Sequence, residues 1–525
     1  MGRGAARRPS GPALSRDMDA SARRLGWYLT LGGLLAVIDT TVTVVALPKL
    51  VDDLDTNLTT IGWVTSGYAL ALVAVMPTAA WAIGRFGARR TYLTALLLFT
   101  AGSVLAGAAW SVGSLIAFRV LQGLGGGLLN PVGMAVALAA VPPGRRGRMM
   151  SLLGLPVLVG PLIGPVLGGL LLDHTSWRWI FWINLPVGLL AVLLGRSVLP
   201  VADPRRAPVR LDVVGLLLFC PGLALAVYGL SVTGERGGVV TASVLLPLAV
   251  GALLVVTFAW RAGRIRQPLL NLAVLRAPGM AGGAATVAFF AAGYFGSFLI
   301  IPAYVQVVRG DSATLAGVIG IPQALTTGLM LQVATRLVDH VSARRVVGLG
   351  IATAVAGTAA RVLVLDADTS YPLLATLGAV IGLGMGATLM PTMTAASRSL
   401  PPDDLPSGST LLTTVSHTSV AAGTALIAAV LSWLTDRLAP SLGGGGITAA
   451  NRLDPASRLG LAPDLAQATR LALAVSAVLL ALAWLTSRRL PAAVAGTGEV
   501  TTPAGPAASV SNAGGADRRP RPPSR

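Results

Sequence analysis

Apolar runs of about twenty residues alternate with short polar connections along this chain, and that alternation restricts its fold more than any other feature. The run from Leu31 to Pro48, LGGLLAVIDTTVTVVALP, sets the pattern. With flanks from Trp27 to Val51 it is long enough to cross a bilayer, because about 20 residues rising ~1.5 Å each span a hydrocarbon core of ~30 Å. Inside lipid a segment must satisfy its own backbone hydrogen bonds, so repeated runs of this kind are read as helices. Fourteen spans are expected, beginning near Trp27, Thr60, Thr91, Ser114, Met149, Trp179, Val213, Thr241, Met280, Ser312, Val346, Tyr371, Gly408 and Leu471. Composition agrees: 54% hydrophobic and 12% charged residues leave too little polar surface to close a water-soluble globule of 525 residues. The single cysteine, Cys220, allows neither an intramolecular disulfide nor a cysteine metal cluster.

The net charge of +19 is spread over short clusters between the spans, unlike the single basic patch of a nucleic-acid binder. Those clusters orient the chain. Arg85, Arg89 and Arg90; Arg145, Arg146 and Arg148; Arg205, Arg206 and Arg210; Arg261, Arg264 and Arg266; and Arg344 and Arg345 fall on every second connection. The alternate connections carry Asp52, Asp53 and Asp55, then Asp366 and Asp368. The positive-inside rule puts the arginines and both termini in the cytoplasm, which requires an even number of spans. Residues 1–26 and 491–525, rich in Gly, Pro, Ala and Arg, are expected to be disordered cytoplasmic tails. The first apolar run is too long for a signal peptide and contains an acid.

An internal repeat divides the chain. GRFGARR at Gly84 to Arg90 aligns with DHVSARR at Asp339 to Arg345, and GLGGGLLNP at Gly123 to Pro131 aligns with GLGMGATLMP at Gly382 to Pro391, at offsets of 255 and 259 residues. The expected architecture is an all-α integral membrane protein: a six-helix bundle over residues 27–200, two linker helices within 201–276, and a second six-helix bundle over 277–490.

Within the spans two charged residues stand out. Asp39 is the one acid well inside a span, at a cost of at least ~2.5 kcal/mol on insertion scales, so it is a functional candidate by default. Arg119, on the fourth span, comes within about 5 Å of the same depth if both helices stand upright. The alternatives are a functional pair or a structural ion pair, and sequence alone does not show whether the two meet. Gly160, Pro161, Gly164, Pro165, Gly168 and Gly169 mark the fifth span as a pliable seam where helices approach closely, with ordinary small-residue packing as the alternative. Gly123 to Gly127 follow no strand and lie inside an apolar span, which argues against a nucleotide loop.

LAVIDTTVTVVALPKL, GWVTSGYAL, FRVLQGLGGGLLNP, GPLIGPVLGG and WRWIFWINLPVG, in that order on spans one, two, four, five and six, resemble the drug:proton antiporters of the fourteen-helix branch of the major facilitator superfamily. The resemblance covers about residues 27–490 and is densest before residue 200. It implies alternating access between the two bundles, with Asp39 and Arg119 in proton coupling. It also implies gating roles for Arg85, Arg89, Arg90, Asp339, Arg344 and Arg345. Gly84 stands where that family has an acid, so the latch of the first half is expected to be weaker than the one Asp339 serves.

Trp63, Tyr68, Gln122, Asn130, Tyr294, Gln306, Gln323 and His417 lie in spans near that family's substrate or motif positions, although each could instead satisfy a backbone group or anchor an interface. Lys49 and Arg361 lie close to outer helix ends, where snorkelling accounts for them. Residues 436–469 read as a long outer segment. The expectation is a non-enzymatic, monomeric exporter in the cell membrane, in contact with its lipids, that needs no cofactor or metal and exchanges protons for small lipophilic neutral or monocationic molecules. A transporter dedicated to one metabolite is the nearest alternative, and a membrane sensor or scaffold the next.

Overall fold

A computed structural model describes residues 19–56, 58–200, 211–236, 242–265, 268–338, 340–442 and 455–491. All regular structure among them is helical. Numbering only helices of 15 residues or more, the order is α1 (Ala20–Asp53), α2 (Leu58–Val75), α3 (Ala88–Gly107), α4 (Val112–Ala139), α5 (Leu155–His174), α6 (Asn184–Val198), α7 (Val213–Arg236), α8 (Ala242–Ala262), α9 (Met280–Gly296), α10 (Ala313–Leu337), α11 (Ala343–Val364), α12 (Tyr371–Gly386), α13 (Leu405–Leu438) and α14 (Pro455–Ser487). Twelve stretches among the described residues are long and apolar enough to cross a membrane; α5 is not among them, and α7 supplies a shorter apolar stretch, Val213–Ala226.

Several helix starts are set by local chemistry. Ser111 and Ser114 form a reciprocal capping box at the head of α4. Ser312 and Ser342 cap α10 and α11 by accepting from the backbone NH three residues on. Gly279, at φ 82°, turns the chain into α9 through a left-handed conformation that favours glycine.

Two boundaries differ from the sequence expectation. The N-terminal tail ends earlier than residue 26, because α1 begins at Ala20, with Ala22 and Leu25 buried and Arg23 and Arg24 exposed. The span expected from Leu471 belongs to a helix that starts at Pro455, which shortens the outer segment. Its first turns bury Ala462, Leu465, Ala466 and Ala468 on one side while Leu459 stays exposed, so they are amphipathic and a search for uniformly apolar runs passes over them. Residues 1–18, 443–454 and 492–525, together with Arg205, Arg206, Arg210, Arg266 and Asp339, lie outside the described residues.

Glycine contacts register the two repeats on each other. A Cβ at Gly123 would stand 2.5 Å from the Tyr68 carbonyl oxygen, and one at Gly382 2.3 Å from that of Gln323. Gly125 abuts the backbone of Phe99 and Gly384 that of Ala354; Gly127 abuts the Leu72 carbonyl and Gly386 that of Thr327. These glycines let α4 and α12 cross their neighbours backbone to backbone, a packing role and not a phosphate-binding one.

Buried apolar side chains cluster unevenly between the repeats. One cluster draws on both, joining Leu25, Leu138 and Met149 to Met280, Val346 and Leu400 near the arginine-bearing connections. At the opposite end the cores stay separate, one around Leu50, Ile61 and Trp177 and the other around Tyr304, Leu374 and Leu465. The repeats are therefore packed together at the arginine-rich end and have distinct cores at the acidic end. A fourth cluster unites Phe219 of α7 and Phe258 of α8 with Val73 of α2.

Candidate functional site: a buried carboxylate in the first repeat

Asp39, in the middle of α1, meets Arg119 of α4 directly. Arg119 Nη1 lies 2.5 Å from Asp39 Oδ2, and both side chains are completely shielded from solvent. The guanidinium is held from two further directions: its Nε donates to the Val64 carbonyl on α2 at 3.1 Å, and Nη1 also donates to Gln122 Oε1 at 2.7 Å. It lies over the Tyr68 ring, 4.2 Å from the centroid.

The other carboxylate oxygen, Oδ1, accepts from Gln122 Nε2 and from Asn184 Nδ2, each at 2.8 Å. Asn184, at the start of α6, donates as well to Ser103 Oγ on α3, and Ser103 in turn donates to the Phe181 carbonyl. Five helices thus converge on one ionised carboxylate. Three side chains donate to it, which offsets the desolvation that an isolated buried charge would suffer. Removing the guanidinium would leave a buried charge without its counter-ion.

Asn184 is the participant that sequence reasoning missed. It lies in the quoted WRWIFWINLPVG motif, where a lone amide within an apolar stretch was the available signal. Gln122 and Tyr68, expected as substrate-binding candidates, lie at this site instead as a hydrogen-bond partner of Asp39 and an aromatic face beneath Arg119. Trp63 does not: it is exposed and stacks on Tyr228 of α7, with ring centroids 5.8 Å apart.

The remaining candidates lie elsewhere. Asn130 Nδ2 and His417 Nε2 approach to 3.5 Å across the two repeats. Gln323 Nε2 donates to the Tyr294 hydroxyl at 3.2 Å within the second repeat. Gln306 lies in a turn of π-helix, Tyr304–Val308, in the second repeat. Lys49 is exposed and pairs with Asp53 at 2.9 Å. Arg361 contradicts the snorkelling expectation: only 5% exposed, it turns inward and donates from Nη2 to the Leu374 carbonyl at 2.9 Å. The glycine at position 378 opens the room for it, since a Cβ there would stand 2.6 Å from that nitrogen.

Gly160, Pro161, Gly164, Pro165, Gly168 and Gly169 all lie on α5. Gly160 and Gly164 press on α1, where an added Cβ would come 2.2 Å from Val37 Cγ1 and 1.9 Å from Thr41 Oγ1. Gly169 has nothing within 4 Å of such a Cβ and takes no part in that crossing. Arg85, Arg90, Arg344 and Arg345 are exposed, while Arg89 donates to the Arg196 carbonyl at the end of α6. The contacts between repeats at the arginine-rich end come instead from residues outside the expected gating set. Arg146, buried, donates to the Ser397 carbonyl at 2.6 Å, Gln332 to the Ser151 carbonyl at 3.1 Å, and Ser409 to the Pro131 carbonyl at 3.2 Å. Burial and the neighbouring Arg398 guanidinium lower the Arg146 pKa from its ordinary value.

The family model of the Major Facilitator Superfamily matches residues 29–424 and 286–507. A multidrug resistance protein B homolog of Mycobacterium tuberculosis is 37% identical over 420 residues, covering 79% of this chain and 77% of the relative. Lincomycin resistance protein LmrB of Bacillus subtilis is 30% identical over 407 residues, covering 77% and 84%. Among solved structures, the human organic anion transporter MFSD10 (TETRAN) superposes with a TM-score of 0.58 at 16% identity, covering 88% of this chain and all of that one. The fucose:proton symporter FucP of E. coli gives 0.58 at 12% identity over 90% of this chain. At those identities the structural likeness establishes the fold alone.

Proposed function

We propose that this chain, which belongs to the Major Facilitator Superfamily, is a proton-coupled exporter of small lipophilic molecules, with Asp39 as the proton carrier and Arg119 as its counter-charge. The single observation that carries the reading is the Asp39–Arg119 pair, sealed from solvent and held by Gln122 and Asn184. A stability element rarely needs such a pair, since burying two ions gains little over apolar packing.

In this reading α5 and α7 bring the spanning helices to fourteen, with α7 and α8 as linkers between two six-helix bundles and both termini cytoplasmic. The protein acts as a monomer in the cell membrane. With the arginine-rich end inside, the conformer described above is closed towards the cytoplasm. As the bundles rock, a shift of α1 against α4 within the first bundle separates Arg119 from Asp39; the bared carboxylate takes a proton from outside as substrate leaves there, and re-pairing, with the site open inward, releases that proton to the cytoplasm as the next substrate binds. Gly160 and Gly164 supply the close contact along which α1 and α5 move. Substrates are neutral or monocationic: one carboxylate, already countered by Arg119, does not compensate two positive charges.

The test is Asp39→Asn in proteoliposomes under an imposed pH gradient. Asparagine keeps the shape and one accepting oxygen but cannot ionise, and its amide nitrogen cannot accept from the donors that Asp39 faces. Efflux driven by the gradient is expected to fall to background while substrate exchange without a gradient persists. Undiminished gradient-driven efflux would remove Asp39 from the proton path.

A further inference from the structure

Arg361 is a buried cation in the second repeat that the proton-carrying site does not use. We propose that Arg361, with Tyr294 and Gln323, forms a subsite that accepts an anionic oxygen of the substrate, above all a carboxylate. This inference rests on the export reading and narrows its substrate class.

The glycine crossings fix which residues correspond. Tyr68 and Gln323 abut equivalent glycines, Gly123 and Gly382, and differ by 255 residues, the same interval that carries Asp39 to Tyr294. Along α4 and α12 the interval is 259, which carries Arg119 to Gly378. In the second repeat the carboxylate has thus become a phenol, and the helix that held the arginine offers a glycine. A guanidinium is nonetheless present. It enters from α11 at Arg361, and its Nη2 occupies the room beside Gly378, 2.6 Å from where a Cβ would be. The position equivalent to Arg361 in the first repeat is Ala106, since Phe99 and Ala354, which abut the matched Gly125 and Gly384, also differ by 255.

The two sites therefore keep the cation and differ in the anion. In the first, Asp39 balances Arg119. In the second, Arg361 is 5% exposed, donates one bond to the Leu374 carbonyl, makes no ion pair among the described residues, and has no partner for its Nε. Gln323 Oε1 lies 3.3 Å from the same point beside Gly378, and its amide nitrogen reaches the Tyr294 hydroxyl, so three polar side chains from α9, α10 and α11 meet there. A cation shielded from water and lacking a counter-charge favours whatever ligand brings one. A carboxylate suits a guanidinium better than any neutral acceptor, because it accepts two parallel charge-assisted bonds.

The experiment is counterflow in proteoliposomes with a xanthene dye in two forms, its free acid, a zwitterion, and its methyl ester, a monocation. The parent protein is expected to move both and to favour the acid. Arg361→Gln is expected to lower the acid-to-ester transport ratio by about tenfold, the scale of a lost charge-assisted hydrogen bond, and Arg361→Lys to restore much of it. A structural role alone would depress both dyes together, so an unchanged ratio in Arg361→Gln overturns the proposal. Chloride-dependent transport of the ester that disappears in Arg361→Gln overturns it too, by assigning the cation to a solvent anion. Movement of the ester with exclusion of the acid by the parent protein refutes the subsite and leaves the export reading standing. Movement of neither dye counts against both.

Discussion

Asn184 Nδ2 lies 2.8 Å from Asp39 Oδ1, the carboxylate oxygen that Arg119 does not touch. The amide ties α6 to the buried carboxylate and, through Ser103, ties that site to α3. Asn184→Ala removes two buried hydrogen bonds, one of them to an ionised group, for a loss of roughly 1.5–3 kcal/mol at the carboxylate. Gradient-driven efflux is expected to slow by about tenfold or more, with a lower unfolding temperature in detergent. Normal rates and an unchanged melting curve would show that the amide is dispensable.

Crossing of α1 and α5 yields a prediction with its own control. Gly160→Ala puts a methyl group 2.2 Å from Val37 Cγ1, an overpacking of roughly 1–3 kcal/mol. Gly169→Ala, on the same helix, meets nothing within 4 Å and is expected to be silent. Val37→Ala removes the clashing methyl, so the double variant Val37→Ala with Gly160→Ala should recover part of the lost thermal stability. Equal melting temperatures for the two glycine variants would contradict the close crossing.

Arg146 donates to the Ser397 carbonyl across 251 residues of chain. Arg146→Gln should loosen the arginine-rich end and shift the population towards conformers open there. Ser151, buried in the same seam, reports on it. With Cys220→Ser as background, alkylation of Ser151→Cys by a charged maleimide is expected to speed up about tenfold when Arg146→Gln is added, the scale of a lost hydrogen bond to a charged group. An unaltered rate would mean that apolar packing alone closes that end.

Substrate charge can be tested with matched singly and doubly charged lipophilic dyes in counterflow. Each uncompensated charge carried into a shielded site costs several kcal/mol. Among the described spans Asp39 is the one buried carboxylate, so at most one positive charge on a substrate is balanced, and only once Arg119 has moved away. The monocation is expected to show saturable transport and the dication little. Comparable transport of both would require an acid drawn in from a connection, with Asp311 or Asp339 the first to substitute.

Much of this was legible in one dimension. Hydropathy needs only composition along the chain, because lipid forces each apolar run to satisfy its own backbone. Asp39 and Arg119 were legible for the same reason: a charge in an apolar run is conspicuous wherever its partner lies. The repeat was visible too, since glycines needed where backbones cross recur at matching offsets. The start of α14 at Pro455 was not legible, because an amphipathic extension has no hydropathy maximum.

What the tertiary structure alone decided is which side chains share a space. Asn184 looked like an isolated amide until α6 brought it to Asp39. Trp63 could not be paired from sequence, and only the packing of α7 against α2 set Tyr228 against its ring. Arg361, three residues from the end of α11, had the sequence position of a snorkelling residue. Its direction depends on room left by a glycine on another helix, Gly378, seventeen residues away. A sequence records how deep a residue lies along its own helix. The direction in which a long side chain turns is set by the volume its neighbours leave empty, and that volume exists only once the helices are packed.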